Sequence, residues 1–184
     1  MSANVWQVNY GISPSIVERV TNLDRFISWN EHLDRFSRSL EYLLVRARDI
    51  AERADSYRGF KVGCAMYAFR RYPENRELLG TRWKIFCGYN TKPTEDSLKI
   101  CSEHRALADA RQAGYTLIVG MALVGSPQPD DAGILHPTLH PCQVCVNMFR
   151  KAPEVKGRTA IVTAHLEENG VMDYFPFSRL NRGF

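Results

Sequence analysis

From residue 28 onward the hydrophobic positions of the chain switch repeatedly between two spacings. Leu33, Phe36, Leu40, Leu43, Ala47, Ile50, Ala51 and Ala54 recur mostly at intervals of three and four, the period of one helix face. Ser28-Trp29-Asn30-Glu31 opens that run with a serine and a glutamate three residues later, a capping-box pattern. An amphipathic helix of about six turns is predicted. The next runs, GFKVGCAMYAF (59–69) and RWKIFCGYN (82–90), are rich in β-formers and are separated by polar RRYPENRELLG, where Pro73, Asn75 and Gly80 mark a connection. Together they predict a hairpin. CSEHRALADARQAG (101–114) returns to helical spacing and stops at Gly114, and YTLIVGMALVG (115–125) is a continuous apolar run, the pattern of a buried strand. SPQPDDAGILHPTLHP reads as loop, CQVCVNMFRKA (142–152) as a helix beginning just after Pro141, and RTAIVTAHL (158–166) as another buried strand. This alternation predicts an α/β fold of three layers, a sheet with helices on both faces. Residues 1–27 show no period and carry Gly11 and Pro14, so they are expected to form an N-terminal arm preceding a domain over 28–184.

Composition narrows the class without changing this picture. A chain of 184 residues with 45% hydrophobic and 24% charged residues can bury one sizeable core and suits a single globular domain. No run approaches the roughly 18 uninterrupted apolar residues that would span a bilayer. The first twenty residues lack a basic segment followed by an apolar block, so a cytoplasmic location is expected. The net charge of +4 comes from 24 lysines and arginines scattered along the chain. Such scatter argues against a nucleic-acid channel.

Five cysteines form no regular framework: Cys64, Cys87, Cys101, Cys142 and Cys145. In a reducing compartment a close pair such as Cys142 and Cys145 is more often metal-binding or catalytic than a disulfide. On the predicted elements this pair sits at the start of one helix and Cys101 opens another, where backbone N–H groups favour thiolates. Three sulfurs with no obvious fourth ligand match a catalytic zinc site, which keeps one tetrahedral position open for water. Glu103, two residues after Cys101, points differently from it on a helix and becomes the candidate general acid/base rather than a ligand. The order Cys-x-Glu followed by Pro-Cys-x-x-Cys is the layout of the zinc deaminases. Taken singly, the pair could be a structural zinc half-site or a redox pair, and Cys101 a small buried hydrophobe. Cys64 and Cys87 lie in strand-like runs and read as core. His136 and His140 read as surface loop residues before substrate contacts.

Beyond these residues, the chain resembles the small zinc-dependent cytidine deaminases, in particular the homotetrameric type with a three-cysteine metal site. YRGFKVGCAM (57–66) resembles the family's Y-S-x-F-x-V-G-A-A-L strand, and GYNTKPTEDSLKICSE (88–103) is similar, without a gap, to G-x-N-V-E-N-x-x-x-x-x-x-I-C-A-E. The end, DYFPFSRLNRGF, resembles the closing L-L-P-x-x-F. The resemblance covers residues 38–184. It implies a mixed five-stranded sheet between helices, Zn²⁺ on Cys101, Cys142 and Cys145, and Glu103 protonating N3 and then the leaving amine of a cytosine nucleoside. It further implies Phe60 lining the base pocket, Asn90 binding ribose, Phe184 closing a neighbouring subunit's site, and a tetramer.

Three positions depart from the family pattern. Lys92 stands where an acid would bind a ribose hydroxyl; an ammonium cannot accept that proton and favours an anionic group, unless it simply points to solvent. His104, with Arg105 following, replaces the arginine that offsets thiolate charge; it could support the site by donating to a zinc-bound sulfur. Pro-Cys-Gln-Val-Cys-Val-Asn lacks a further arginine. The expected function is hydrolytic deamination of a small cytosine-bearing molecule. The alternatives are a deaminase of a modified aminopyrimidine nucleoside such as a nucleoside antibiotic, a single-strand editing enzyme, and a zinc-stabilised binding module in which Glu103 is incidental.

Overall fold

Alternation along the central strands, broken by an irregularity between Ile118 and Gly120, creates two cores, one on each side of a single sheet. The computed structural model describes residues 29–70, 82–129, 133, 135–167 and 171–180; the predicted N-terminal arm, Ser28, the hairpin connection and Phe184 lie outside the described residues. The elements in chain order are α1 (Trp29–Ala51), β1 (Asp55–Ser56), β2 (Val62–Phe69), β3 (Trp83–Tyr89), β4 (Thr91–Lys92), α2 (Ser102–Gln112), β5 (Leu117–Gly125), α3 (Gln143–Lys151), β6 (Val155–His165), β7 (Met172–Pro176) and α4 (Phe177–Leu180). Five strands form one sheet in the order β3-β2-β5-β6-β7, and β1 pairs with β4 in a separate two-stranded ribbon. The β5–β6 pair is parallel and the other pairs of the large sheet are antiparallel. This is the mixed five-stranded sheet that the resemblance implies.

On one face, Ala65 and Tyr67 of β2, Val119, Ala122 and Val124 of β5, and Ala160, Val162 and Ala164 of β6 meet Phe36, Leu43 and Ala47 of α1. Phe36, 1% exposed, lies against Gly120, where a Cβ would come 2.5 Å from its ring; burying a phenylalanine contributes about 1.5–3 kcal/mol. On the other face, Cys64, Met66 and Ile161 meet Leu107 of α2, Phe149 of α3 and Phe177 of α4. Helices therefore cover both sides. The predicted helix over the first periodic run stops at Ala51, short of Ala54, because the Ala54 N–H turns back to the Ala51 carbonyl and the Asp55 N–H bonds Asn90 O. That crossing starts β1 and ties residues 55–57 to 90–92.

The predicted hairpin is present, in register from Gly63 opposite Tyr89 to Phe69 opposite Trp83. Three strands escaped the hydrophobic pattern: the two-residue β1 and β4, and β7, whose Met172-Asp173-Tyr174 buries little and which pairs antiparallel along β6 as the sheet edge. An edge strand with one wet face carries a weaker signal than the buried runs of β5 and β6.

Candidate metal centre and active site

Two helix starts bring the cysteines together. Cys101 is the N-cap of α2 and Cys142 the N-cap of α3, both with extended backbone and neither capping through its side chain; their sulfurs are thereby available to each other. Cys145 follows one turn into α3 and is fully buried. The three Sγ atoms lie within 4.8 Å of one another, with Cys142 and Cys145 3.6 Å apart. Tetrahedral zinc with Zn–S bonds of about 2.3 Å requires sulfurs separated by about 3.8 Å, so this donor set fits the ion.

Protonation points the same way. The Cys142 thiol is pulled well down, first by hydrogen bonding with Cys101 and then with Cys145. Cys101, whose largest influence is that contact with Cys142, is pushed up to about 12, and Cys145 is pushed well up by Cys101 and then Cys142. Three crowded thiols release one proton readily and resist losing the others. A divalent cation removes that resistance, because a coordinated thiol is deprotonated outright.

Packing sets the position of each helix start. The Ser102 carbonyl and the Ala106 N–H lie over Gly88, where an added Cβ would sit 2.8 Å from Ala106 N; only glycine lets α2 approach β3 so closely. On the other side, the buried hydroxyls of Thr138 and Thr163 meet at 2.5 Å, and His140 Nε2 lies 3.2 Å from Asp173 Oδ2. These contacts hold the chain that delivers Pro141 and Cys142.

Glu103 is 6% exposed and shares an open cavity of about 1000 Å³ with Cys101 and Cys142. Ser102 Oγ donates to its Oε2 at 2.9 Å. Burial, above all, raises its pKa, and negative charge at Cys142 adds to the effect, against the Ser102 and backbone hydrogen bonds. A carboxyl so placed can hold a proton and hand it on.

Phe60, Asn90 and Lys92 all line the same cavity. Asn90 Oδ1 accepts from Val62 N–H at 2.6 Å and its Nδ2 donates to the Phe60 carbonyl at 2.8 Å, so its amide also fixes the turn that carries Phe60. Lys92 Nζ stands 5.4 Å from the centre of the Tyr57 ring. Arg105 turns the other way: its guanidinium lies 4.5 Å from the Tyr89 ring centre and donates to Thr91 Oγ1 at 3.2 Å. His104 keeps a buried Nε2 with no hydrogen-bond partner among the described residues. Cys64 is fully buried in the core and Cys87 half-buried, both outside the sulfur cluster.

His136 and His140 do not sit on an open surface loop as the sequence suggested. Their rings stack at 4.1 Å and 12°, half-buried in the cavity wall, because the Thr138 anchor pulls the loop inward. Sequence reasoning also passed over Tyr57, Arg58, Lys99 and Asp173. Isolated polar residues in turns and on an edge strand carry no periodic signal; only the adjacency of Tyr57 and Arg58 to Phe60 could have drawn notice.

Comparison with known proteins agrees with this geometry at the level of the fold. No protein-family model and no curated protein matches the chain. Among solved structures, the cytidine deaminase from Burkholderia pseudomallei superposes with a TM-score of 0.58 at 23% identity, over 76% of this chain and 94% of that one. The cytidine deaminase from Mycobacterium tuberculosis gives 0.50 at 14% identity, over 78% and 94%. The chain thus has the fold of the cytidine deaminases, with a three-cysteine cluster able to hold a metal at the floor of its cavity. Among the described residues no helix is long and apolar enough to cross a membrane.

Proposed function

We propose that this protein is a zinc-dependent hydrolase that converts the 4-amino group of a cytosine nucleoside or close analogue to a 4-oxo group, releasing ammonia. The observation that carries this reading is the buried Glu103 carboxyl in the same cavity as the sulfur cluster. When bound by Cys101, Cys142 and Cys145, zinc supplies Lewis acidity and a nucleophilic oxygen at neutral pH. Glu103 takes the proton released by water and delivers it to N3 of the ring, then carries a proton to the departing amine, so that cytosine plus water balances uracil plus ammonia. Ser102 holds Glu103 Oε2 by a hydrogen bond and orients the carboxyl for this transfer. Phe60 supplies an apolar wall for the base, and Asn90, fixed by the backbone at 60 and 62, faces the sugar side.

A homotetramer is the proposed assembly, with Phe184 reaching a neighbouring site. Light scattering of the purified protein tests it. The reaction itself is tested by incubating zinc-loaded protein with cytidine, deoxycytidine, their 5′-monophosphates, cytosine and an aminopyrimidine antibiotic and measuring ammonia. Release by wild type and not by Glu103→Ala is expected; equal release by both, or none with zinc bound, overturns the reading.

A further inference from the structure

The mouth of the cavity is built from cations. Arg58, Lys92 and Lys99 line it, while its lining among the described residues contains one carboxyl group, Glu103, at the buried floor. The acids near these cations in sequence, Asp55, Glu95 and Asp96, do not line the cavity. Neither Lys92, Lys99 nor Arg58 has an ion-pair partner among the described residues.

The arrangement follows from the backbone. The parallel pairing of β1 with β4 sets Ser56 beside Lys92, and Tyr57 N–H donates to the Lys92 carbonyl at 2.9 Å. Gly59, at φ +68°, closes the turn through its N–H to Ser56 O at 2.8 Å. Tyr57 is thereby held with the Lys92 ammonium 5.4 Å and the Arg58 guanidinium 5.1 Å from its ring centre. Two cations sharing one ring repel each other, and an anion bound beside them relieves that repulsion. An ammonium has donors only, so it cannot accept from a sugar hydroxyl, whereas it forms strong charge-assisted hydrogen bonds to phosphate or carboxylate oxygens.

We infer that the substrate is a cytosine derivative bearing an anionic group, a phosphate monoester or a carboxylate, and that Lys92, seated against Tyr57 beside Arg58 and Lys99, is the residue that selects it. The inference rests on the deaminase reading for the identity of the base and on the cavity mouth alone for the anion.

Binding is measured by isothermal calorimetry on zinc-loaded Glu103→Gln protein, in which turnover does not consume the ligand, and deamination is followed in parallel with Glu103 intact. Each is combined with Lys92, Lys92→Met or Lys92→Glu. The ligands are cytidine, cytidine 5′-monophosphate and a cytidine analogue with a carboxylate at the 5′-carbon. At least one anionic ligand should bind about tenfold or more tightly than cytidine, and which one does so separates phosphate from carboxylate. That preference should shrink with Lys92→Met, vanish with Lys92→Glu, and weaken with added salt. Equal or tighter binding of cytidine, or an anion preference untouched by Lys92→Glu, overturns the inference. Deamination of cytidine without anion preference removes this inference alone; a Lys92-dependent anion preference without deamination of any ligand supports it and removes the deaminase reading instead.

Discussion

Replacing Gly88 by alanine puts a methyl group where α2 crosses β3. The new Cβ would lie 2.8 Å from Ala106 N and 2.8 Å from Arg105 Cβ, and nearer still to the Ser102 carbonyl, while ordinary contact begins at 3.4 Å. Two of these neighbours are backbone, so no rotamer change relieves the overlap; the helix or the strand must retreat by a large fraction of an ångström. Overpacking of this kind costs about 1–3 kcal/mol, which for a domain of this size lowers the melting temperature by about 3–10 °C. The segment pushed away carries Cys101 and Glu103 at its first turn. A shift near 1 Å at a catalytic group costs about 10²-fold in rate, so zinc affinity and turnover should fall together with stability. Gly157→Ala is the control, since its Cβ would meet Ser178 Cβ at an ordinary 3.5 Å, and a change within about 0.5 kcal/mol is expected. Urea denaturation, metal analysis and steady-state kinetics on the two variants decide the matter. Gly88→Ala protein with the stability, zinc content and activity of wild type would refute the packing argument.

Cys145→Ser should lower bound zinc from about one per chain to near zero, read by elemental analysis. A chelator should then lower the melting temperature of wild type and leave that variant unchanged, because metal binding is coupled to the fold. His32 is 5% exposed between the rings of Phe69 and Trp83, each 4.8 Å away, and its Nδ1 has no hydrogen-bond partner among the described residues. Burial, chiefly, lowers its pKa from 6.5, with Arg35 adding to and Glu31 opposing the shift. The unfolded chain therefore binds a proton that the folded chain refuses, so this contribution is complete above about pH 6.5 and is lost as pH falls below it. Urea midpoints of wild type and His32→Phe should converge or cross between about pH 7.5 and 5; parallel curves would show that His32 is not the group responsible.

The large-scale fold was legible because its core elements are strongly periodic. The α1 stripe from Leu33 to Ala51 and the apolar runs of β5 and β6 each announced their type, and their order specified helices on both faces of a sheet. The three cysteines could be paired across more than 40 residues of sequence because thiols at two predicted helix starts share one chemical need. What escaped notice depends on tertiary placement. β7 became a strand by pairing with β6, and the stacked histidines were drawn into the cavity wall by the Thr138–Thr163 contact. Asn90 stood out in the sequence only by resemblance, whereas its bonds to the backbone at 60 and 62 arise from β2 meeting the β3–β4 junction. Lys92 was visible as an anomaly; its neighbours at the cavity mouth, Arg58 and Lys99, were not.

The most direct test of the account is the mass of the pyrimidine recovered after zinc-loaded protein acts on its cytosine substrate in water labelled with oxygen-18. Hydrolytic replacement of the 4-amino group adds about three mass units, against about one in ordinary water, because the new oxygen comes from solvent. Wild type should show that gain, and Glu103→Ala should leave the mass unchanged. An unchanged mass for wild type across neutral and anionic cytosine derivatives, with zinc bound one to one, would contradict it.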